Sequence, residues 1–347
     1  MTSTGNQSNR VRERRLALGF TQAELSERVH ISRTAITAIE GDRIVPSVAT
    51  ALALARELDC TVEELFGIAS SATASTLWAW QPTTTQRFWQ AEVSGKLWRY
   101  PATTAPMMTP LPDDQEQSAS GAGSIAGDTV VLACCDPAAG LLASQFQQVT
   151  GLRLIVLPRS SRQSLEMLKS GLVHFAGLHF STAEDPDRNA EVVREVLGSD
   201  YGLLRLCRWQ EGIALSGGSA HRTVRSVLQS KLTWIGREEG SGARRCLDQL
   251  LSGRSSPRRI ASNHHGVATA VHSGWADAGV CVRLVSEEAG LRFLPVQEEA
   301  FDLCYLRSFS ADRRFKAFAR VVRSSVYRKL LIGLPGYDAS ETGEAVA

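Results

Sequence analysis

RVRERRLALGFTQAELSERVHISRTAITAIEGDRIVPSVATALALARELDCTVEELFG, residues 10–67, decides how the first part of this 347-residue chain is read. Thr21 followed three residues later by Glu24 is a capping box, so a helix starts there and runs to about Val29. Ser32 caps a second helix that continues to about Glu40, and Gly41 ends it. Only His30 and Ile31 lie between the two, the short connection of a helix–turn–helix pair. With one helix before and two after, the stretch predicts five helices.

Leu16, Leu18, Phe20, Ala23, Leu25, Val29, Ile31, Ala35, Ile36, Ile39, Val48, Leu52, Leu54, Ala55, Leu58, Leu65 and Phe66 fall mostly at helical spacing and are expected to form one small core. That leaves Arg33, Thr34 and Thr37 on the outer side of the third helix, where early residues of a recognition helix meet base edges in the major groove. Arg33 suits guanine, and Thr34 or Thr37 a thymine methyl or a phosphate. Gln22 is placed to hold the nucleic-acid backbone beside exposed helix amides.

This stretch resembles the Cro/phage-repressor (XRE) type of helix-turn-helix. The residues that carry the resemblance are Arg14, Leu16, Thr21-Gln22-Ala23-Glu24-Leu25, Ile31-Ser32-Arg33, Ile39-Glu40-Gly41, Pro46-Ser47, Leu52 and Leu65-Phe66. It implies an all-α head that contacts double-stranded DNA through Gln22, Arg33, Thr34 and Thr37. A helical protein–protein module on the same scaffold is the alternative. Residues 1–70 hold eight Arg and nine acidic residues, so the head is not basic overall. Its arginines cluster instead, with Arg10, Arg12, Arg14 and Arg15 on the first helix, and phosphate contacts need charge on one face rather than net charge.

The whole chain carries a net charge of +2, with 43% hydrophobic and 21% charged residues, which fits a globular protein of two or three domains. The polar start MTSTGNQSNR argues against a secretory signal, and no apolar run reaches the roughly 18 residues of a membrane span. Seven scattered Cys without a CxxC pair suggest reduced thiols in a cytoplasm and no structural metal site.

Beyond the head, aromatics concentrate in LWAWQPTTTQRFWQAEVSGKLWRYP, residues 77–101, where Ser94-Gly95 suits the turn of a hairpin. Residues 102–126, rich in Pro, Ser and Gly, read as a loop or linker. From Asp128 strands alternate with helices, which argues for parallel sheets. Strands are expected at Thr129–Cys134, Leu152–Leu157, Val173–Phe180, Leu232–Ile235, Arg258–Ala261, Ala276–Val282, Leu291–Val296 and Phe301–Leu306, with Tyr201–Leu215 extended and crossing between lobes. Asp312–Leu330 reads as one last helix, apolar along Phe315, Phe318, Val322, Val326 and Leu330 and basic on its other face.

Ligands of open parallel sheets bind beyond the carboxyl ends of the strands, beside helix N-termini. Four junctions have that form: Cys134-Cys135-Asp136-Pro137, Ser160-Ser161-Arg162, Gly240-Ser241-Gly242 before Arg244, and Asn263-His264-His265-Gly266. Free amides and helix dipoles there favour an anion. At these residues a second resemblance emerges. Residues 128–335 look like the periplasmic-binding-protein-like domain of bacterial regulators, related to molybdate-binding proteins. The pieces are Ser160-Ser161-Arg162 with Leu165, Gly171 through His179, Arg237 through Arg244, Val267-Ala268, Ala276 through Gly279, and Phe301-Asp302-Leu303. The resemblance implies a two-lobed α/β domain of the type II class closing on a small molecule, molybdate, tungstate or a molybdenum-cofactor species. Cys134-Cys135 departs from the pattern, which expects a small or hydroxyl residue before Asp136.

The expected organisation is a helix-turn-helix domain over 1–70, a linker with an aromatic β hairpin over 71–126, the two-lobed domain over 127–335 and a disordered tail over 336–347. The candidate ligand-binding residues are Cys135, Asp136, Ser160, Ser161, Arg162, His179, Arg237, Ser241, Gly242, Arg244, His265 and Asp277. Asp136 alternatively caps its helix, Arg237 alternatively pairs with Glu238 or Glu239, and Asp277 alternatively caps or salt-bridges. His264 and His265 form half a metal site that nothing at helical spacing completes, so no metal or cofactor is expected. The resulting expectation is a homodimeric, ligand-responsive DNA-binding regulator rather than an enzyme. Cys135 with His179, or Ser241 with His265, offers a nucleophile and base, but no third orienting partner stands at recognisable spacing.

Overall fold

The computed structural model describes residues 9–66, 77–81, 87–102, 113 and 122–346. It divides into two compact units, Met1–Thr76 and Leu77–Ala347. Of the region expected as linker and hairpin, 71–126, residues 71–76, 82–86, 103–112 and 114–121 lie outside the described residues.

The first unit holds α1 (Val11–Ala17), α2 (Gln22–Val29), α3 (Arg33–Glu40), α4 (Val48–Glu57) and α5 (Val62–Phe66). The caps are those the sequence encodes. Thr21 Oγ1 accepts from the Glu24 amide at 3.2 Å while the Glu24 carboxylate accepts from the Thr21 amide at 2.7 Å. Ser32 Oγ accepts from the Ala35 amide at 3.1 Å. Val11, Leu25, Val29, Ile36, Ile39, Leu54, Ala55, Leu58 and Leu65 make the core. Leu16, Leu18, Ala23, Val48 and Leu52, expected inside, are exposed. α1 buries Val11 and Arg15, so Leu16 points roughly 100° away from that stripe. Leu52 is likewise one step round from buried Ala51, and Val48 precedes the stripe in the first turn of α4. Arg15 takes the interior place instead, donating to the Glu40 carboxylate at 3.1 Å and to the Phe20 carbonyl at 2.7 Å.

The second unit begins with a three-stranded sheet of β1 (Leu77–Trp78), β2 (Phe88–Val93) and β3 (Lys96–Pro101), in the order β1-β3-β2. Ser94 and Gly95, both at positive φ, turn β2 into β3, where glycine adopts that conformation at little cost. Trp89, Ala91, Val93 and Tyr100 pack into the same core as Val131, Ile155 and Leu178, so the hairpin is a layer of this unit rather than a linker.

After α6 (Ala122–Gly127) come β4 (Thr129–Cys134), α7 (Ala139–Thr150), β5 (Arg153–Pro158), α8 (Ser161–Lys169), β6 (Phe175–Thr182), α9 (Arg188–Leu197) and the long β7 (Tyr201–Leu215). Next are α10 (Val224–Leu228), β8 (Trp234–Arg237), α11 (Gly242–Leu250), β9 (Ile260–Ala261), α12 (His264–His272), β10 (Ala278–Val282), α13 (Arg283–Glu288) and the equally long β11 (Arg292–Leu306). The chain closes with a 3-10 turn, α14 (Arg313–Val322), α15 (Ser325–Ile332), β12 (Tyr337–Asp338) and β13 (Ala345–Val346). The strand order is β5-β4-β6-β11-β7-β10-β8-β9, with β12 and β13 paired to β7.

β4, β5 and β6 are parallel to one another, as are β8, β9 and β10. β7 and β11 are antiparallel over their whole length and join the two halves. The sheet is therefore mixed rather than parallel. The two strands expected at Leu291–Val296 and Phe301–Leu306 are one, with register shifts absorbing the irregularity between Pro295 and Gln297 and between Phe301 and Asp302.

Two further expectations fail for local reasons. Asp312–Leu330 is two helices, because the Ser324 hydroxyl caps a new one by accepting from the Tyr327 amide at 3.2 Å. Val326 and Leu330 are thereby turned outward, and Arg314 on the basic face is buried, donating to the Glu92 carbonyl at 2.8 Å. The expected disordered tail is folded. Tyr337 pairs with Trp209, Ala345 with Leu204, and Thr342 is fully buried with its hydroxyl donated to the Leu206 carbonyl at 2.8 Å.

Close packing behind the crossing strands leaves no room at Gly177, where a Cβ would lie 2.6 Å from both Cys134 Cβ and the Phe301 ring. Gly177→Ala is expected to cost about 1–3 kcal/mol of overpacking. A Cβ at Gly218 meets nothing within 4 Å. Thermal unfolding of the two alanine variants should show a clear drop in Tm for the first against little change for the second.

Candidate ligand cleft and recognition helix

In the first unit α3 exposes Arg33 and Thr34, while Thr37 is half-buried. Gln22 is tied inward, donating to the Glu40 carboxylate at 2.8 Å and accepting from the Thr37 hydroxyl at 3.2 Å. One buried ion pair, Arg15–Glu40, thus ties α1 to the end of α3, with the start of α2 joined through Gln22, and burial of Glu40 is outweighed by Arg15 and Gln22, which hold its carboxyl below the ordinary range.

In the second unit the middle of the β7/β11 ribbon carries polar side chains in an otherwise apolar stretch. Register sets Glu299 opposite Trp209 and Gln297 opposite Glu211. Alternation along a strand puts all four on one face. The Trp209 indole N–H donates to Glu299 at 3.1 Å, and the Gln297 amide donates to Glu299 at 2.8 Å and Glu211 at 3.3 Å.

His179, near the end of β6, lies over this face. Its Nδ1 is 2.7 Å from the Glu299 carboxylate, and its Nε2 is 3.1 Å from Cys135 Sγ at the end of β4. The Ser161 hydroxyl accepts from the His179 amide at 3.3 Å. Gly242, first residue of α11, abuts the imidazole so closely that a Cβ would sit 2.5 Å from it. From the other half, His264 Nδ1 accepts from Arg237 at 3.2 Å and from the Val282 amide at 3.3 Å. His179, Glu211, Glu299, Arg237 and His264 are all essentially excluded from solvent, and Cys135 is half-buried.

Electrostatics follow from that burial. Desolvation raises Glu211 well above the ordinary carboxyl range, and the neighbouring Glu299 adds to it. Glu299 is also raised by burial, against the donors that surround it. The carboxyl with three N–H neighbours is the better anion, so Glu299 gives up its proton before Glu211 does. Burial and Arg237 push His264 well below its usual value. His179 goes the other way: burial lowers it, but Cys135 and Glu211 outweigh that and raise it. Asp136 is raised by burial and accepts from the Tyr337 hydroxyl at 2.7 Å and the Ala138 amide at 2.9 Å.

Of the expected ligand residues, the structure brings Cys135, Ser161 and Gly242 against His179 in this polar cluster and Arg237 against His264, while Arg162, Ser241 and Arg244 lie on a separate open cleft. Cys135, Asp136, Ser160, Ser161 and His179 come from one half, and Arg237, Ser241, Gly242 and Arg244 from the other. Arg162, Ser241, Arg244 and Arg245 border an open cleft of about 650 Å³ between α8, α9 and α11, together with Phe180, Glu166, Glu195, Glu239 and Asp248. Ser160 and Ser241 cap α8 and α11. Arg237 is fully buried and paired with Glu238 at 3.0 and 3.1 Å. Two expected residues are elsewhere. His265 is exposed on the outer side of α12, since its neighbour His264 takes the inward position. Asp277 precedes β10, at the wrong end of the strand, where it is exposed and accepts from the Thr233 amide at 2.8 Å. Glu211, Glu299, Trp209, Gln297 and Tyr337 were not among the expected residues. Their signal is the pair of short polar runs, Trp209-Gln210-Glu211 and Gln297-Glu298-Glu299, inside long apolar strands.

Residues 143–323 match the model of the PBP superfamily domain, and the chain belongs to that family. Residues 11–65 match a helix-turn-helix model. Among curated proteins the chain is similar to the uncharacterized protein YvgK of Bacillus subtilis (strain 168), 27% identical over 198 residues that span 54% of this chain and 64% of that protein. It is also similar to an uncharacterized protein in the ferredoxin 2Fe-2S gene 5'region of Clostridium pasteurianum, 34% identical over 89 residues, 24% of this chain and 75% of that one. Similar solved structures include an ABC-type phosphate transport receptor from Vibrio cholerae (TM-score 0.43, 14% identity, 60% of this chain and 99% of that one) and a reduced form of OxyR from N. meningitidis (TM-score 0.44, 13% identity, 63% and 99%). No helix among the described residues is long and apolar enough to cross a membrane.

Protonation of Glu211 gives a pH test. Its folded pKa lies above its unfolded one, so the stability it supports is complete below the unfolded value and is lost as pH rises through the folded one. Glu211→Gln removes that loss. Its Tm should exceed that of the parent at pH 8 and converge on it near pH 5, with about 2–4 °C for each kcal/mol regained.

Proposed function

We propose that this chain is a ligand-responsive DNA-binding transcription regulator acting as a dimer in the cytoplasm. The observation that carries the reading is the union, in one chain, of a helix-turn-helix with an outward recognition helix and a PBP-family domain whose strand ends converge on a cleft. Arg33 and Thr34 read base edges, and Thr37, backed by Gln22, meets the phosphate or a thymine methyl at the groove edge. Two such heads on an inverted repeat stand roughly 34 Å apart, so a change of spacing within the dimer changes affinity.

The ligand is a small anion held at the mouth of the cleft. Arg162 has no hydrogen-bond or ion-pair partner among the described residues, and it sits under Gly240 beside the start of α11, where helix amides add positive potential. Molybdate or tungstate, the class the resemblance implies, fits there. The buried cluster on the β7/β11 ribbon is a poorer place for an oxyanion, because the Glu299 carboxylate already occupies it. Closure over the ligand rocks the halves about the β7/β11 ribbon.

Selection of bound sequences from random DNA with the full chain identifies an operator. Arg33→Ala should then weaken binding by about 1–3 kcal/mol, or roughly 5–150-fold, with an unchanged far-UV spectrum. Calorimetry with molybdate, tungstate and phosphate should show binding that Arg162→Ala weakens. Heat-free titrations with all three would remove the anion reading while leaving the DNA reading standing.

A further inference from the structure

The polar cluster on the β7/β11 ribbon holds a group that the regulator reading does not use. Cys135 Sγ lies 3.1 Å from His179 Nε2, whose Nδ1 lies 2.7 Å from Glu299. Glu299 is itself fixed by Trp209 and Gln297. This is a thiol, a base and an orienting carboxylate in line, with the third member that the sequence does not reveal. We propose that Cys135 is a nucleophilic thiol and the site of modification by small hydroperoxides.

The Nδ1–H donated to Glu299 leaves the Nε2 lone pair facing the sulfur, so His179 takes the thiol proton. The resulting thiolate–imidazolium pair rests on the Glu299 charge. The thiolate pair attacks the terminal oxygen of the hydroperoxide, an S–O bond forms and the O–O bond breaks. The departing oxygen takes the proton from Nε2. Sulfur is oxidised to the sulfenic acid and the peroxide is reduced to an alcohol, or to water when hydrogen peroxide reacts.

His264 strengthens the assignment. Its Nδ1 lone pair is engaged by Arg237 and the Val282 amide, so the neutral ring carries its proton on Nε2. That atom is buried without a partner among the described residues, and a ring nitrogen of His264 lies within 4.8 Å of both Cys135 Sγ and a His179 ring nitrogen. An unengaged N–H donor on a ring this close to the sulfur stabilises the thiolate and the departing oxyanion. The trio Cys135, His179 and His264 also has the spacing of metal ligands. Two features oppose a cation: His264 has no free lone pair, and the Arg237 guanidinium stands against it. Of the seven cysteines, Cys134, Cys207, Cys246, Cys281 and Cys304 are buried, and only Cys60 matches the partial exposure of Cys135.

The test uses the full chain. Iodoacetamide labelling followed by peptide mass spectrometry should modify Cys135 at least tenfold faster than Cys60 at pH 7. Its rate should hold between pH 8 and pH 6, where an ordinary thiol loses about tenfold per unit. One equivalent of hydrogen peroxide followed by dimedone should label Cys135 alone. Glu299→Gln should move the fall in rate to higher pH, which a merely structural residue would not do; His179→Gln should abolish reactivity at pH 6. If either variant fails to fold, the pH profile of the parent decides. Equal rates at Cys135 and Cys60, an ordinary thiol profile, or reactivity that emerges only after a chelator strips the protein would each overturn the proposal.

Discussion

One buried carboxylate organises the polar cluster at the heart of the second unit. Glu299 accepts from His179, Trp209 and Gln297, and these come from three different strands, or from opposite sides of one crossing. A charge taken out of water is tolerated only when donors surround it, so each of the three side chains is held where it must be to meet it. Glu211 beside it, with fewer donors, is pushed to higher pKa by burial and by Glu299. The placement of Cys135 and of the α11 start then follows, because His179 is locked and both pack on its ring.

The helical head depends on a similar device at smaller scale. Arg15 and Glu40 are distant in sequence and nearly buried together, and Gln22 and Thr37 join them. The residues that set the angle between the second and third helices are therefore polar, while the residues left for a partner are the short outward row at the start of the third.

How much of this was legible in the sequence varied with the range of the forces involved. Capping is local, so Thr21–Glu24, Ser32, Ser160 and Ser241 gave helix starts that the structure keeps. Of the strand-end residues singled out there, Arg162, Ser241 and Arg244 line the open cleft between α8, α9 and α11. Pairing across a sheet is not local. Nothing near Glu299 in the chain announces that Trp209 faces it, or that His179 completes the set, and the choice between His264 and His265 turned on the phase of one helix. Leu16 and Leu52 misled because apolar character was read without the phase that places Arg15 and Ala51 inward. The folded tail was missed because short polar segments gain their order from the strand they join.

That tail has a further effect. β7 is flanked along one side by β11 and along the other by β13, β12 and β10 in succession, with the Gly343 amide bonded to the Arg205 carbonyl and the Gln210 amide to the Gly336 carbonyl between them. Arg205 and Arg208 also grip Glu341. β7, with β11 the longest of the described strands, consequently presents no open rim to a neighbouring copy. A stretch that would otherwise template intermolecular sheet growth is sealed by β10 together with residues 336–346.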